Sequence, residues 1–235
     1  MIEITSSTEL PSNREPLTLI TSDNFKLVAE LATPVANKSE AVLLTLHPLP
    51  THGGFMDSHI LRKAANRLPA LANLSVLRFN TRGTSSPHGT SEGSFGDGID
   101  EQHDVEAALE FVRSRSLGPI WLVGWSFGTE LAIKYGFDKD IAGAILLSPP
   151  LRRSGEQDLV KWIGSGKKLI ALIPEHDEYL APAAALERFA VLPEAEVIPV
   201  DGAKHLWVGE AATKRVLNEI VRAVNPAKYP LPDTF

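Results

Sequence analysis

The chain has 235 residues, 43% hydrophobic and 22% charged, with a formal net charge of −6 and no cysteine. That is the make-up of an ordinary globular protein with apolar material for one sizeable core, and it excludes disulfides, thiolate zinc sites and a cysteine nucleophile. The acidic balance argues against a nucleic-acid partner, the N-terminal residues lack the basic start and apolar stretch of a secretory signal, and no apolar run is long enough to span a bilayer, so a cytoplasmic location is expected.

Residues 1–14 are polar and without periodicity, and an extended tail is expected there. Residues 17–21 and 25–33 have the composition of two strands joined by Ser22-Asp23-Asn24, a hairpin. Strand 41–46, helix 57–71 and strand 75–79 follow, then a loop over 80–98 rich in Gly, Ser and Thr. Residues 100–115 form an amphipathic helix with Val105, Ala108, Leu109 and Val112 on one face. Strand 119–124, helix 127–137 and strand 141–147 come next. Strand 167–173, helix 182–191, strand 195–200 and helix 208–224 complete the alternation. Residues 225–235 contain three prolines and are expected to be an extended tail. A hairpin followed by β-α units predicts an α/β fold in one domain over 1–235, with a mostly parallel sheet and helices on both faces. The connection 148–166 has room for one short helix around 159–163, so any cap is minimal and the site beneath it open.

The chemistry centres on Gly124-Trp125-Ser126-Phe127-Gly128. A strand precedes it and a helix follows, which puts Ser126 at the tip of a sharp turn. Such a turn pushes a serine hydroxyl clear of the backbone at the foot of a helix. Side chains at Gly124 or Gly128 would collide where strand and helix nearly touch. The pentapeptide alone is only moderately specific; the flanking elements supply its context.

A serine nucleophile needs a base, and the base an orienting carboxylate. Parallel α/β sheets gather ligands at the carboxyl ends of their strands. Strand 167–173 runs into Pro174-Glu175-His176-Asp177-Glu178, and strand 195–200 into Asp201-Gly202-Ala203-Lys204-His205. Asp177 and His205 are the expected partners of Ser126, with Glu175 and Glu178 as alternatives for the acid. Asp201 is expected to shape the turn before His205.

Acyl transfer also needs donors for the oxyanion. One is the backbone N–H of Phe127. The second is expected from the loop His47-Pro48-Leu49-Pro50, where proline has no N–H and Leu49 is the donor left; the alternative is His52-Gly53-Gly54. Trp125, Tyr179 and Trp207 adjoin these positions and are expected to line a substrate pocket. Asp97, Asp100, Glu101 and Asp104, with His103, are read as carboxylates at a helix N-terminus rather than a metal site. Lys161, Lys167 and Lys168 are read as a solvated face. No cofactor and no metal is expected, and nothing in the pattern sets an oligomeric state.

Over about residues 17–224 the chain resembles the alpha/beta-hydrolase superfamily. The resemblance is carried by His47-Pro48, Phe79-Asn80-Thr81-Arg82-Gly83, residues 124–128, Asp177 and His205. Residues 79–108 are similar to the loop and helix of small bacterial members with a His-Pro-x-Pro oxyanion segment, where Arg82-Gly83 and residues 96–101 are structural. The resemblance implies an alpha/beta-hydrolase fold with an eight-stranded sheet and a serine-histidine-acid hydrolase, but no particular substrate. Two departures stand out: the loop after Gly83 has Thr84 and Ser85 where such chains often carry more glycine, and the usual small cap is nearly absent. The expected reaction is hydrolysis of small-molecule carboxylic esters, or thioesters, through an acyl-enzyme on Ser126. The alternatives are a peptidase or amidase and a ligand-binding member without turnover.

Overall fold

A computed structural model describes residues 3–36 and 38–235. Eight strands form the main sheet: β1 (Asn13–Ile20), β2 (Lys26–Thr33), β3 (Ala41–Leu46), β4 (Leu74–Phe79), β5 (Ile120–Trp125), β6 (Ile141–Leu147), β7 (Lys168–His176) and β8 (Glu196–Lys204). Their spatial order is β1-β2-β4-β3-β5-β6-β7-β8. Only β2 is antiparallel to both its neighbours; from β4 to β8 every pairing is parallel. Every residue of β3, β4 and β5 is buried. That is what unbroken apolar runs such as Ala-Val-Leu-Leu-Thr-Leu require, since a parallel strand must be covered on both faces.

The helices supply those covers. On one face lie α1 (His59–Ala72) and α6 (Glu210–Val224), which bury Ile60, Ala64, Leu68, Val216, Leu217 and Ile220. On the other lie α2 (Glu101–Arg115), α3 (Phe127–Tyr135) and α5 (Pro182–Phe189). The α2 face read from its periodicity, Val105, Ala108, Leu109 and Val112, is the buried one. The connection after β6 holds one turn of helix, α4 (Glu156–Leu159), continued by a 3₁₀ turn over Val160–Trp162. Buried Trp162 donates through Nε1 to the Ile133 carbonyl at 3.3 Å, which ties this segment down onto α3. Among the described residues no large cap stands over the strand ends. Among the described residues no helix is long and apolar enough to cross a membrane.

The departures from the sequence reading that matter most lie at the ends of strands and of the chain. β1 begins at Asn13, inside the expected tail, because its polar first half still pairs residue by residue with β2. The two ends of the chain are tied to each other: Glu3 bridges to Thr234, the Ile4 N–H donates to the Asp233 carbonyl at 2.9 Å, and Leu231 is buried. β7 and β8 both run further than expected, to His176 and Lys204. The register shifts between Val200 and Lys204, and Lys204 then pairs with His176. Gly202, at φ 65°, supplies the left-handed residue within this irregularity. The extension matters because Asp177 and His205 each follow directly on these paired strand ends.

Candidate active site

Ser126 follows the last residue of β5 and precedes the first of α3. Its backbone, φ 51° and ψ −116°, is one a non-glycine residue avoids at a cost of about 1–3 kcal/mol. The surroundings hold it there. The Ser126 N–H donates to the Leu147 carbonyl at 2.8 Å, and its own carbonyl accepts from the Thr129 hydroxyl at 2.6 Å. A Cβ on Gly128 would stand 2.0 Å from the Leu46 carbonyl oxygen, and one on Gly124 would stand 2.5 Å from that of Gly128. Strand, turn and helix meet here backbone to backbone, so the two glycines are steric requirements.

His205 is buried, and its Nε2 lies 2.9 Å from the Ser126 Oγ while Nδ1 lies 2.8 Å from the Asp177 Oδ2. A carboxylate can only accept, so Nδ1 carries the proton and Nε2 is the free acceptor facing the serine hydroxyl. The second carboxylate oxygen of Asp177 accepts the N–H groups of Tyr179 (2.9 Å) and Leu180 (3.2 Å). Burial pushes this carboxyl up, but the hydrogen bond from His205 and the two N–H groups outweigh it, and Asp177 sits below the ordinary carboxylate range. The alternative acids lie elsewhere. Glu175 accepts the Gly202 N–H at 2.6 Å, and Glu178 is exposed.

The peptide carbonyl of His205 is clamped as well. It accepts from Trp125 Nε1 at 3.1 Å and from the Ser148 hydroxyl at 3.2 Å, and that hydroxyl accepts from Trp207 Nε1 at 2.9 Å. Sequence reasoning missed Ser148. Its one signal was its place at the carboxyl end of β6, beside the strand that leads into Ser126. Trp207 corrects an expectation: it does not line the cleft. Wholly buried at φ 49°, it spends its indole N–H on Ser148 and its carbonyl on His59 Nε2 at 3.0 Å. Adjacency to His205 in sequence places it beneath the loop, because the chain turns over there.

The loop after β3 is built around His47. Its buried ring accepts the Thr81 N–H at Nε2 (3.0 Å) and therefore donates from Nδ1 to the Pro48 carbonyl (2.7 Å). Burial pushes this histidine down to about 4, against the opposing hydrogen bond to Pro48. With the Pro48 carbonyl held, the trans peptide points the Leu49 N–H the opposite way. Neither that N–H nor the Phe127 N–H meets an acceptor among the described residues. The N–H groups of His52, Gly53 and Gly54 are spent inside the loop, on the carbonyls of Leu49 (3.1 Å), Pro50 (3.0 Å) and Leu49 (3.0 Å). Gly54 is there for space: a Cβ would stand 2.1 Å from the Pro48 carbonyl oxygen.

These groups open into a cleft of about 160 Å³ lined by Leu49, Trp125, Ser126, Phe127, Tyr179 and His205, with Glu130, Arg152 and Arg153 on its far wall. Tyr179 is half-exposed, and its ring centre lies 4.5 Å from that of His205. The far wall carried no signal in the sequence reading. Its arginines sit in the irregular segment after β6, and Glu130 lies on the α3 turn facing it. The acidic group near α2 is structural. Glu101 accepts the N–H groups of Gly96 and Gly98, both at 2.8 Å, and Asp104 pairs with Arg82 at 2.9 Å. Among the described residues no three His, Cys, Asp or Glu side chains are grouped to hold a metal ion.

Comparison with known proteins agrees with this layout. The chain is 29% identical over 120 residues to an uncharacterized protein of Rickettsia prowazekii (strain Madrid E), a match covering 50% of this chain and 48% of that protein. It thus spans about half the length of that curated relative. Among solved structures it is similar to an alpha/beta serine hydrolase without lid from Xanthomonas campestris (TM-score 0.76, 24% identity, 96% of this chain and 100% of that one). It is also similar to an alpha-beta serine hydrolase homologue from Coxiella burnetii (0.74, 23%, 92% and 99%) and an esterase from Pyrococcus furiosus (0.69, 20%, 91% and 92%). At these identities the structural likeness establishes the fold. The model of the alpha/beta hydrolase family matches residues 46–227, and with most of its length inside that match the chain belongs to the alpha/beta hydrolase family.

Proposed function

We propose that the protein is a serine hydrolase that cleaves carboxylic esters, and by the same chemistry thioesters, through an acyl-enzyme on Ser126. The observation that carries the reading is the unbroken relay from the Ser126 hydroxyl through His205 to Asp177, at 2.9 and 2.8 Å. His205 takes the serine proton at Nε2 as Oγ attacks the acyl carbonyl, then gives it to the leaving alcohol or thiol. A water activated by the same nitrogen releases the acid. Asp177 keeps the proton on Nδ1 and stabilises the imidazolium that forms. The N–H groups of Phe127 and Leu49 take the oxyanion. The Leu49 assignment is supported because the competing N–H groups of His52, Gly53 and Gly54 are already spent. One such donor is worth about 3–4 kcal/mol of barrier. The cleft, about 160 Å³, is smaller than the ~300–1,000 Å³ of sites for drug-sized ligands and suits a short acyl group.

Turnover of p-nitrophenyl acetate and butyrate tests this. The wild-type protein should hydrolyse both, and Ser126→Ala should lose roughly 10⁴-fold or more in kcat. An equal rate in that variant would remove Ser126 from the reaction.

A further inference from the structure

The far wall of the cleft carries two adjacent arginines in different electrostatic states. Arg153 is neutralised: its guanidinium pairs with Asp97 at 2.6 Å and approaches buried Glu130 at 3.5 Å. The guanidinium of Arg152 has no carboxylate partner among the described residues and lies over the Tyr179 ring, 4.8 Å from the ring centre. That ring is the one against His205. An uncompensated cation therefore stands one aromatic ring away from the base, in a chain whose net charge is −6.

The backbone beneath Arg152 is fixed, although its side chain is exposed. Leu151 is buried at φ 48°, and its carbonyl accepts from Arg188 at 3.2 Å. The next two N–H groups, of Arg152 and Arg153, both donate to one carboxylate oxygen of Glu130. A buried carboxylate thus holds the strained turn from which Arg152 reaches the cleft. A guanidinium over an aromatic face keeps its in-plane N–H donors free for a carboxylate or phosphate. Prior anchoring reduces the ordering such binding would require.

Resting on the hydrolase reading above, we propose that Arg152 is a specificity-determining residue and that the substrate class is esters bearing a carboxylate or phosphate group. The guanidinium binds that anion at the cleft mouth while Ser126 attacks the acyl carbon.

Two ester pairs test the assignment, each differing only in charge. In p-nitrophenyl hydrogen adipate and its methyl ester the charge is on the acyl side. In 4-acetoxybenzoate and its methyl ester it is on the leaving side. Spontaneous hydrolysis is subtracted, and the ratio of kcat/KM, charged over neutral, is compared between the wild-type protein, Arg152→Gln and Arg152→Lys. In at least one pair the wild-type ratio should exceed that of Arg152→Gln by roughly tenfold, the effect lying in KM. Lysine should restore part of it, and 0.5 M salt should shrink the wild-type advantage. The pair that responds identifies the side of the ester that carries the anion. Ratios that match between wild type and Arg152→Gln in both pairs would overturn the proposal. If none of the four esters is turned over, the hydrolase reading itself fails, and anion binding is then read without chemistry by titrating Ser126→Ala with monomethyl adipate. A roughly tenfold weaker affinity in the Ser126→Ala/Arg152→Gln double variant would uphold the anion site, and equal affinities would dismiss it.

Discussion

The two walls of the cleft are both short turns at the carboxyl ends of strands, yet they are held by different physics. On one side, the Ser126 turn and the loop after β3 are locked by backbone in contact with backbone. Leu46, Gly124 and Gly128 approach so closely that no Cβ fits, and His47 fixes the next peptide from within the core. On the other side, the segment 148–155 is held mostly by side-chain hydrogen bonds, those of Glu130, Arg188 and Asp158 among them. Glu130 gathers the N–H groups of Arg152 and Arg153, Arg188 holds the carbonyl of the strained Leu151, and the strained Ser148 donates its N–H to the Leu172 carbonyl at 3.0 Å. The first wall has the stiffness that reaction geometry demands. The second can change its exposed side chains without disturbing the first, which is where substrate preference is expected to reside.

The largest way to break this contrast is Gly128→Ala. The added methyl meets a main-chain carbonyl, which cannot rotate away, so a destabilisation above about 3 kcal/mol is expected in urea unfolding. A loss under 1 kcal/mol would show that the wall is soft. Next in size is a pH effect. His47 is held near 4 in the fold against 6.5 as a free side chain. Between those values the unfolded chain binds the extra proton, so stability is complete above about pH 6.5 and is lost as pH falls toward about 4. The gap amounts to roughly 3 kcal/mol. Unfolding at pH 7 and pH 4 should show that slope, and His47→Gln should flatten it by a similar amount; an unchanged slope would remove His47 from the core of the loop. The smallest effect sharpens the contrast. Glu130→Gln exchanges charge-assisted bonds for neutral ones at a cost of about 1 kcal/mol. Amide exchange should quicken at residues 151–155 and stay constant at residues 124–129. Equal acceleration in both segments would mean that the walls are one unit.

The same contrast explains what could be read from the sequence. The first wall is written locally. Gly124, Ser126 and Gly128 lie in one pentapeptide between a strand and a helix pattern, and between Pro48 and Pro50, which have no N–H, only Leu49 carries one. Asp177 and His205 were legible because each follows a strand. Their closeness depends on a β7–β8 register shift around Gly202 that no periodicity announces. The second wall is a set of long-range accidents of packing. Nothing near Glu130 in the chain says that it will bond to residues 152 and 153, and nothing near Trp207 says that its indole will turn down to Ser148. The end-to-end pairing of Glu3 with Thr234 was invisible for the same reason.

The most direct test of the central claim is the mass of the protein after brief exposure to a fluorophosphonate, followed by peptide mapping. The account predicts one adduct, on the peptide containing Ser126, formed much more slowly in Asp177→Asn and absent from Ser126→Ala. An unlabelled wild-type protein, or an adduct on any other residue, would contradict it.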